Sequence, residues 1–131
     1  MRYLLTIYGD ESGWNDVSPE QGQAIMDAYD AFGSAAREAG VMLGGEGLQP
    51  TSTATTVRVR DGETVATDGP FAETREQLGG YYLLDCKDLD EAIGWAARIP
   101  GAQQGSIEVR PVMDYEAMGG ADAAAQTEGV A

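Results

Sequence analysis

The chain has 131 residues, a net charge of −14, one cysteine and no histidine. Its eight lysines and arginines are spread along the chain and form no cationic surface to displace counterions from phosphates, which excludes direct nucleic-acid binding. Without histidine and with Cys86 alone, a zinc or iron centre lacks its usual ligands; no spaced acidic motif marks an oxygen-ligand site, so neither metal nor cofactor is expected.

An apolar content of 43% is ordinary for a globular protein, and the length suits one domain with a real core. No apolar run approaches the roughly 20 residues of a membrane span. The opening MRYLLTIY is too short and too strand-like for a signal peptide. A single cysteine has no internal disulfide partner, and a cytoplasmic location is expected.

The first strand is predicted over 2–8, apolar on both faces like a central strand. A polar loop carrying Trp14 follows. Ser18-Pro19-Glu20-Gln21 predicts a helix start, with Ser18 as N-cap, Pro19 at the first helical position and Gln21 completing a capping box. Ile25, Tyr29, Phe32 and Ala36 form its apolar stripe, and Gly40 ends it. A second strand over 41–48 is interrupted by Gly44, Gly45 and Gly47. Strands at 55–60 and 63–67 flank Asp61-Gly62, a tight-turn signal. After a connection over 68–80 comes a strand at 81–86. Asp88 starts a second helix with a box-like cap; Leu89, Ala92, Ile93 and Ala96 are its expected apolar stripe, and Pro100 stops it. The last strand is 106–112. Setting the hairpin aside leaves β-α-β twice, the order of a ferredoxin-like antiparallel sheet with both helices on one face. The other face then carries uncovered apolar residues, which predicts a partner, and two such sheets pair as a homodimeric α+β barrel. The domain is expected to span 1–112. The segment 113–131 turns to Gly, Ala, Asp, Thr and Glu without periodicity and is expected to be a disordered acidic tail.

The run Asp68-Gly69-Pro70-Phe71-Ala72-Glu73-Thr74, continuing Arg75-Glu76-Gln77-Leu78-Gly79-Gly80-Tyr81, closely resembles the signature of the DGPF subfamily of the YCII-related proteins. The opening strand, Gly44-Gly45-Glu46-Gly47-Leu48 and Glu108-Val109-Arg110-Pro111 extend the resemblance over about residues 1 to 112. It implies the dimeric α+β barrel fold. The wider family implies a His and Asp pair in a cleft, which a chain without histidine cannot assemble.

Asp68 is the expected catalytic residue. It is either a general base or ligand acceptor held by the stiff Gly69-Pro70 corner, or a turn cap bonding backbone amides downstream. Glu46, among glycines, is either a pocket carboxylate or the partner of Arg58 or Arg60. Glu73 and Glu76 either pair with Asp68 or form a solvated loop face. Thr74 and Gln77 read as the cap of one helical turn. Phe71 either lines a pocket or plugs the loop, and Tyr8 offers a phenol near a strand end. Trp14 covers either a cleft or a dimer seam. Cys86, flanked by Asp85 and Asp88, reads as a poor nucleophile. The glycine run at 44–47 lacks the lysine and following helix of a phosphate loop. The expected ligand set is therefore Tyr8, Glu46, Asp68, Phe71 and Glu73. The function expected is binding of a small organic molecule near Asp68 and Glu46 in a homodimer; the alternative is a non-catalytic regulatory or protein-interaction module acting through its acidic surface.

Overall fold

The computed structural model describes residues 1–117. Its frame is a four-stranded antiparallel sheet of β1 (Arg2–Gly9), β2 (Met42–Gly47), β5 (Gln77–Asp85) and β6 (Ser106–Pro111), in the order β2-β5-β1-β6. Helices α1 (Pro19–Glu38) and α2 (Leu89–Arg98) make the two crossovers, giving the ferredoxin-like order. Between β2 and β5 lie β3 (Thr55–Arg60) and β4 (Glu63–Asp68), paired only with each other as a separate two-stranded sheet.

Local chemistry sets the helix ends. Ser18 Oγ accepts from the Gln21 amide at 3.1 Å while Gln21 Oε1 accepts from the Ser18 amide at 2.9 Å, a complete capping box. At the other end Gly40 takes φ +76°, Gly40 N–H donates to the Arg37 carbonyl and Val41 N–H to the Ala36 carbonyl, a Schellman close. In α2 the Asp88 carboxylate caps the Glu91 amide, but Glu91 reaches back one residue further than a capping box does, to the Lys87 amide.

The core lies on one sheet face. Leu5 stands opposite Tyr82 and Val109, and Tyr3 opposite Leu84 and Pro111, so these side chains share a face. Buried Tyr3, Leu5 and Leu84 pack with Phe32 and Ala36 of α1 and Ala92 and Ala96 of α2. The expected α2 stripe is corrected here: Leu89 and Ile93 are about half exposed, and the buried side is Ala92, Ala96 and Ile99, with Trp95 packed against it. The set 92, 95, 96, 99 satisfies helical spacing as well as the expected one, and its two alanines let the helix approach the sheet closely. The Phe32 ring lies 4.8 Å from Tyr82 and meets Trp95 edge-on at 6.0 Å, and the Arg98 guanidinium covers Trp95 at 4.5 Å. Gly45 stands opposite Tyr82, and a Cβ there would come within 2.6 Å of the Tyr82 ring, so the glycine makes room for the aromatic to lie across β2.

The opposite face carries Leu4, Thr6 and Tyr8 of β1, Tyr81 and Leu83 of β5, Glu46 of β2, and Glu108 and Arg110 of β6. Its apolar members Leu4, Tyr8, Tyr81 and Leu83 are half-buried. In the hairpin, Asp61 (φ 53°) and Gly62 (φ 78°) are both left-handed, as a two-residue turn of this type requires. β4 is exposed along its whole length. The expected tail is described only to 117, where residues 115–117 form a turn and the Asp114 carboxylate accepts from the Ala117 amide; the remainder lies outside the described residues. Among the described residues no helix is long and apolar enough to cross a membrane.

Candidate functional site

The corner that leaves the hairpin is built around Gly69, whose φ of +99° favours glycine, followed by Pro70, whose ring fixes its own φ. Gly69 is pinned from both sides: its N–H donates to the Ala54 carbonyl at 2.7 Å, and its carbonyl accepts from Thr56 Oγ1 at 2.8 Å. The backbone thus leaves β4 in a defined direction and runs irregularly to Gln77. No helical turn forms there, contrary to the capped turn expected at Thr74. Thr74 Oγ1 instead donates to the Glu76 carbonyl at 2.6 Å, and Gln77 Nε2 donates to the Thr74 carbonyl.

Gln77 joins this loop to the start of the chain. Its Oε1 accepts from the Glu11 amide at 2.9 Å. Glu11, in the 3-10 turn Glu11–Asp16, in turn grips Thr51 with both carboxylate oxygens: Oε1 accepts from the Thr51 amide at 2.8 Å and Oε2 from Thr51 Oγ1 at 2.7 Å. Three segments distant in sequence are thereby clasped. Between the second and third of them in chain order lies an open cleft of about 400 Å³. Thr51 and Ser52 form one part of its lining. Gly69, Pro70, Ala72, Glu73, Thr74 and Gln77 form the rest.

The expected site residues separate. Glu73 lines the cleft. Asp68 ends β4 opposite Thr55, one residue before the cleft-lining Gly69, and is exposed. Its carboxylate makes no hydrogen bond among the described residues, so the turn is held by Gly69 and Thr56 and not by an Asp68 cap. Tyr8, opposite Leu78 and Ser106, and Glu46, opposite Tyr81, sit on the open sheet face. Phe71 is 80% exposed and does not plug the loop within the described chain. Glu46 makes no ion pair with Arg58 or Arg60 among the described residues. Glu76 is tied to β6, accepting from Ser106 Oγ at 2.8 Å. Trp14 is exposed on its 3-10 turn.

Hydrogen bonds from the side chain and backbone of Ser12 hold the Asp10 carboxyl below its ordinary value, with Arg75 adding a weaker pull. Burial pushes the Cys86 thiol up, and Glu91 and Asp85 raise it further, so it is a poor nucleophile. The dominant acid beside it is Glu91, one helical turn into α2. Burial also raises the phenols of Tyr29 and Tyr82. Among the described residues, no group of three or more His, Cys, Asp or Glu side chains is placed to hold a metal ion.

Sequence reading missed Glu11 and Thr51, and gave Gln77 only a local capping role. Glu11 lies in a loop without periodicity, and Thr51 in a run of small polar residues. Their contacts span 40 and 66 residues, and no local pattern encodes such a pairing.

The topology and cleft define a small ferredoxin-like α+β protein. Residues 1–116 match the YCII-related domain, and the chain belongs to that family. It is 42% identical over 118 residues to an uncharacterized protein of Rhizobium meliloti (strain 1021), an alignment covering 88% of this chain and 95% of the relative.

Proposed function

We propose that this protein binds a small organic molecule in the cleft beside the loop over 69–77, and that it belongs to the DGPF branch of its family and works as a homodimer. The observation that carries the reading is the recess itself, walled by a glycine-proline corner and by Thr51 and Gln77, both of which are bonded to Glu11. Two open sheet faces closing on each other would form the α+β barrel. The half-buried Leu4, Tyr8, Tyr81 and Leu83, with the exposed Leu78 at its edge, supply apolar surface for that contact. Any chemistry would fall to carboxylates, with Glu73 on the cleft and Asp68 at its edge, since no histidine is present.

Two measurements test this. Backbone amide spectra recorded with a set of small soluble fragments should move residues 51–52 and 69–77; shifts only elsewhere would remove the cleft. Sedimentation over a dilution series should show a dimer that persists at micromolar concentration, as an interface of more than about 1,000 Å² in total would support. A stable monomer at micromolar concentration would overturn the barrel.

A further inference from the structure

Two of the three hydroxyls lining the cleft, those of Thr51 and Thr74, have already committed their protons. Thr51 Oγ1 bonds a carboxylate oxygen of Glu11, which has no proton to give, so Thr51 is the donor. Thr74 Oγ1 bonds the backbone carbonyl of Glu76 and is again necessarily the donor. Each hydroxyl therefore offers a ligand only its lone pairs. Gln77 is fixed likewise: its Oε1 must face the Glu11 N–H, and one proton of its Nε2 goes to the Thr74 carbonyl. Glu73 adds a carboxylate that accepts only, and it has no ion pair among the described residues. The donors left to a ligand are the Ser52 hydroxyl, the second Gln77 N–H and the main-chain amides of Ser52, Ala72, Glu73 and Thr74, which make no hydrogen bond among the described residues.

No lysine or arginine lines the cleft, and the whole chain carries a charge of −14. An anionic ligand would find neutral donors in the lining but no cation, and would meet the Glu73 charge and a repulsive field. A hard divalent cation needs about six or more oxygens, commonly with several carboxylates among them, and Glu73 is the one carboxylate in the lining among the described residues. A protonated amine brings positive charge to the Glu73 carboxylate and up to three donors to it and to the lone pairs of Thr51 and Thr74.

We infer that the cleft selects a small molecule bearing a protonated amine, with Glu73 as its counter-charge and Thr51 and Thr74 as acceptors of its N–H groups. Glu11 does not touch the ligand; it sets the polarity of the Thr51 hydroxyl by accepting its proton. This inference rests on the cleft reading above and adds the ligand class to it.

Three four-carbon probes that differ in charge test it: putrescine, butanediol and succinate, each titrated into the full chain at neutral pH and followed by backbone amide shifts. Putrescine should move residues 51–52 and 69–77 and bind there more tightly than butanediol, with succinate weakest. Glu73→Gln should weaken putrescine at those residues by about two- to fivefold, the range of a partly exposed ion pair. Glu63→Gln removes the same charge from the hairpin, outside the cleft, and should leave those shifts unchanged. Equal effects of the two variants would show general attraction to an acidic protein and overturn the inference. Tighter binding of butanediol, succinate, magnesium or calcium at the same residues would overturn the amine assignment while leaving the cleft as a binding site. If no probe moves 51–52 or 69–77, both the cleft and the amine assignment fall.

Discussion

The sheet-and-helix frame and the segment from 48 to 76 are held by different forces. Among the described residues all ten buried apolar side chains, from Tyr3 to Ile99, lie in the frame, and none lies between 48 and 76. That segment is instead held by directional bonds: the hairpin ladder, Gly69 to Ala54 and Thr56, and the Glu11 grip on Thr51. Burial is non-directional and strong in sum, so the frame tolerates imprecise local signals. Hydrogen bonds contribute less each but specify geometry, which suits a segment whose role is to shape a cleft.

The sharpest way to break this comparison is to delete apolar volume on each side. Leu84→Ala in the frame should cost about 2–5 kcal/mol in denaturant melts, as for other fully buried leucines. Val59→Ala in the hairpin, where the side chain is 62% exposed, should change stability by no more than about 0.5 kcal/mol. A loss at Val59 that rivals the loss at Leu84 would mean that the hairpin packs on a second chain.

Removing the clasp is the next test. Glu11→Ala leaves the Thr51 amide and hydroxyl without their acceptor and should cost about 1–3 kcal/mol, less if water enters. Hydrogen exchange should quicken at 51–56 and 69–77 while the central strands β1 and β5 keep their protection. Uniform acceleration across the chain would show that the two regions form one cooperative unit.

Alkaline titration separates the regions by a different route. Cys86, Tyr29 and Tyr82 belong to the frame, and each has its proton affinity raised by burial above the ordinary values of 9.0 and 10.0. A raised folded-state value means that the unfolded chain releases its proton first. The stabilisation is fully present below the unfolded values and is lost as pH rises through the folded ones. With no histidine in the chain, stability should be level between about pH 6 and 8 and decline above about 9. A urea midpoint unchanged to pH 10.5 or so would contradict the burial of these groups.

The smallest effect is expected at Asp68. Its exposed carboxylate bonds no described group, so Asp68→Asn should alter stability by less than about 1 kcal/mol. A larger loss would mean that a partner chain or ligand uses the charge, and repeating the melt with putrescine would distinguish the two.

Much of the structure encoded within one turn of chain was determined by the sequence itself, the capped turn expected at Thr74 and Gln77 being the exception. The Ser18 to Gln21 box, the left-handed Gly40, the Asp61-Gly62 turn and the stripe ending in Phe32 and Ala36 were all legible, because each depends on neighbours at most a few residues away. The order of strands and helices also carried the ferredoxin-like arrangement, since chain connectivity leaves few ways to form an antiparallel sheet with both helices on one face. Only tertiary structure chose which side of α2 is buried: two apolar stripes were available, and the sheet accepted the one with small residues. Only tertiary structure placed Glu46 and Tyr8 on the open sheet face, apart from Glu73 and the cleft. The Glu11 to Thr51 pairing was likewise beyond reach, because a bond across 40 residues depends on where the frame delivers its two ends. Asp68 stood out in sequence for its stiff Gly-Pro neighbours, yet rigidity says where a backbone points and not what its side chain meets.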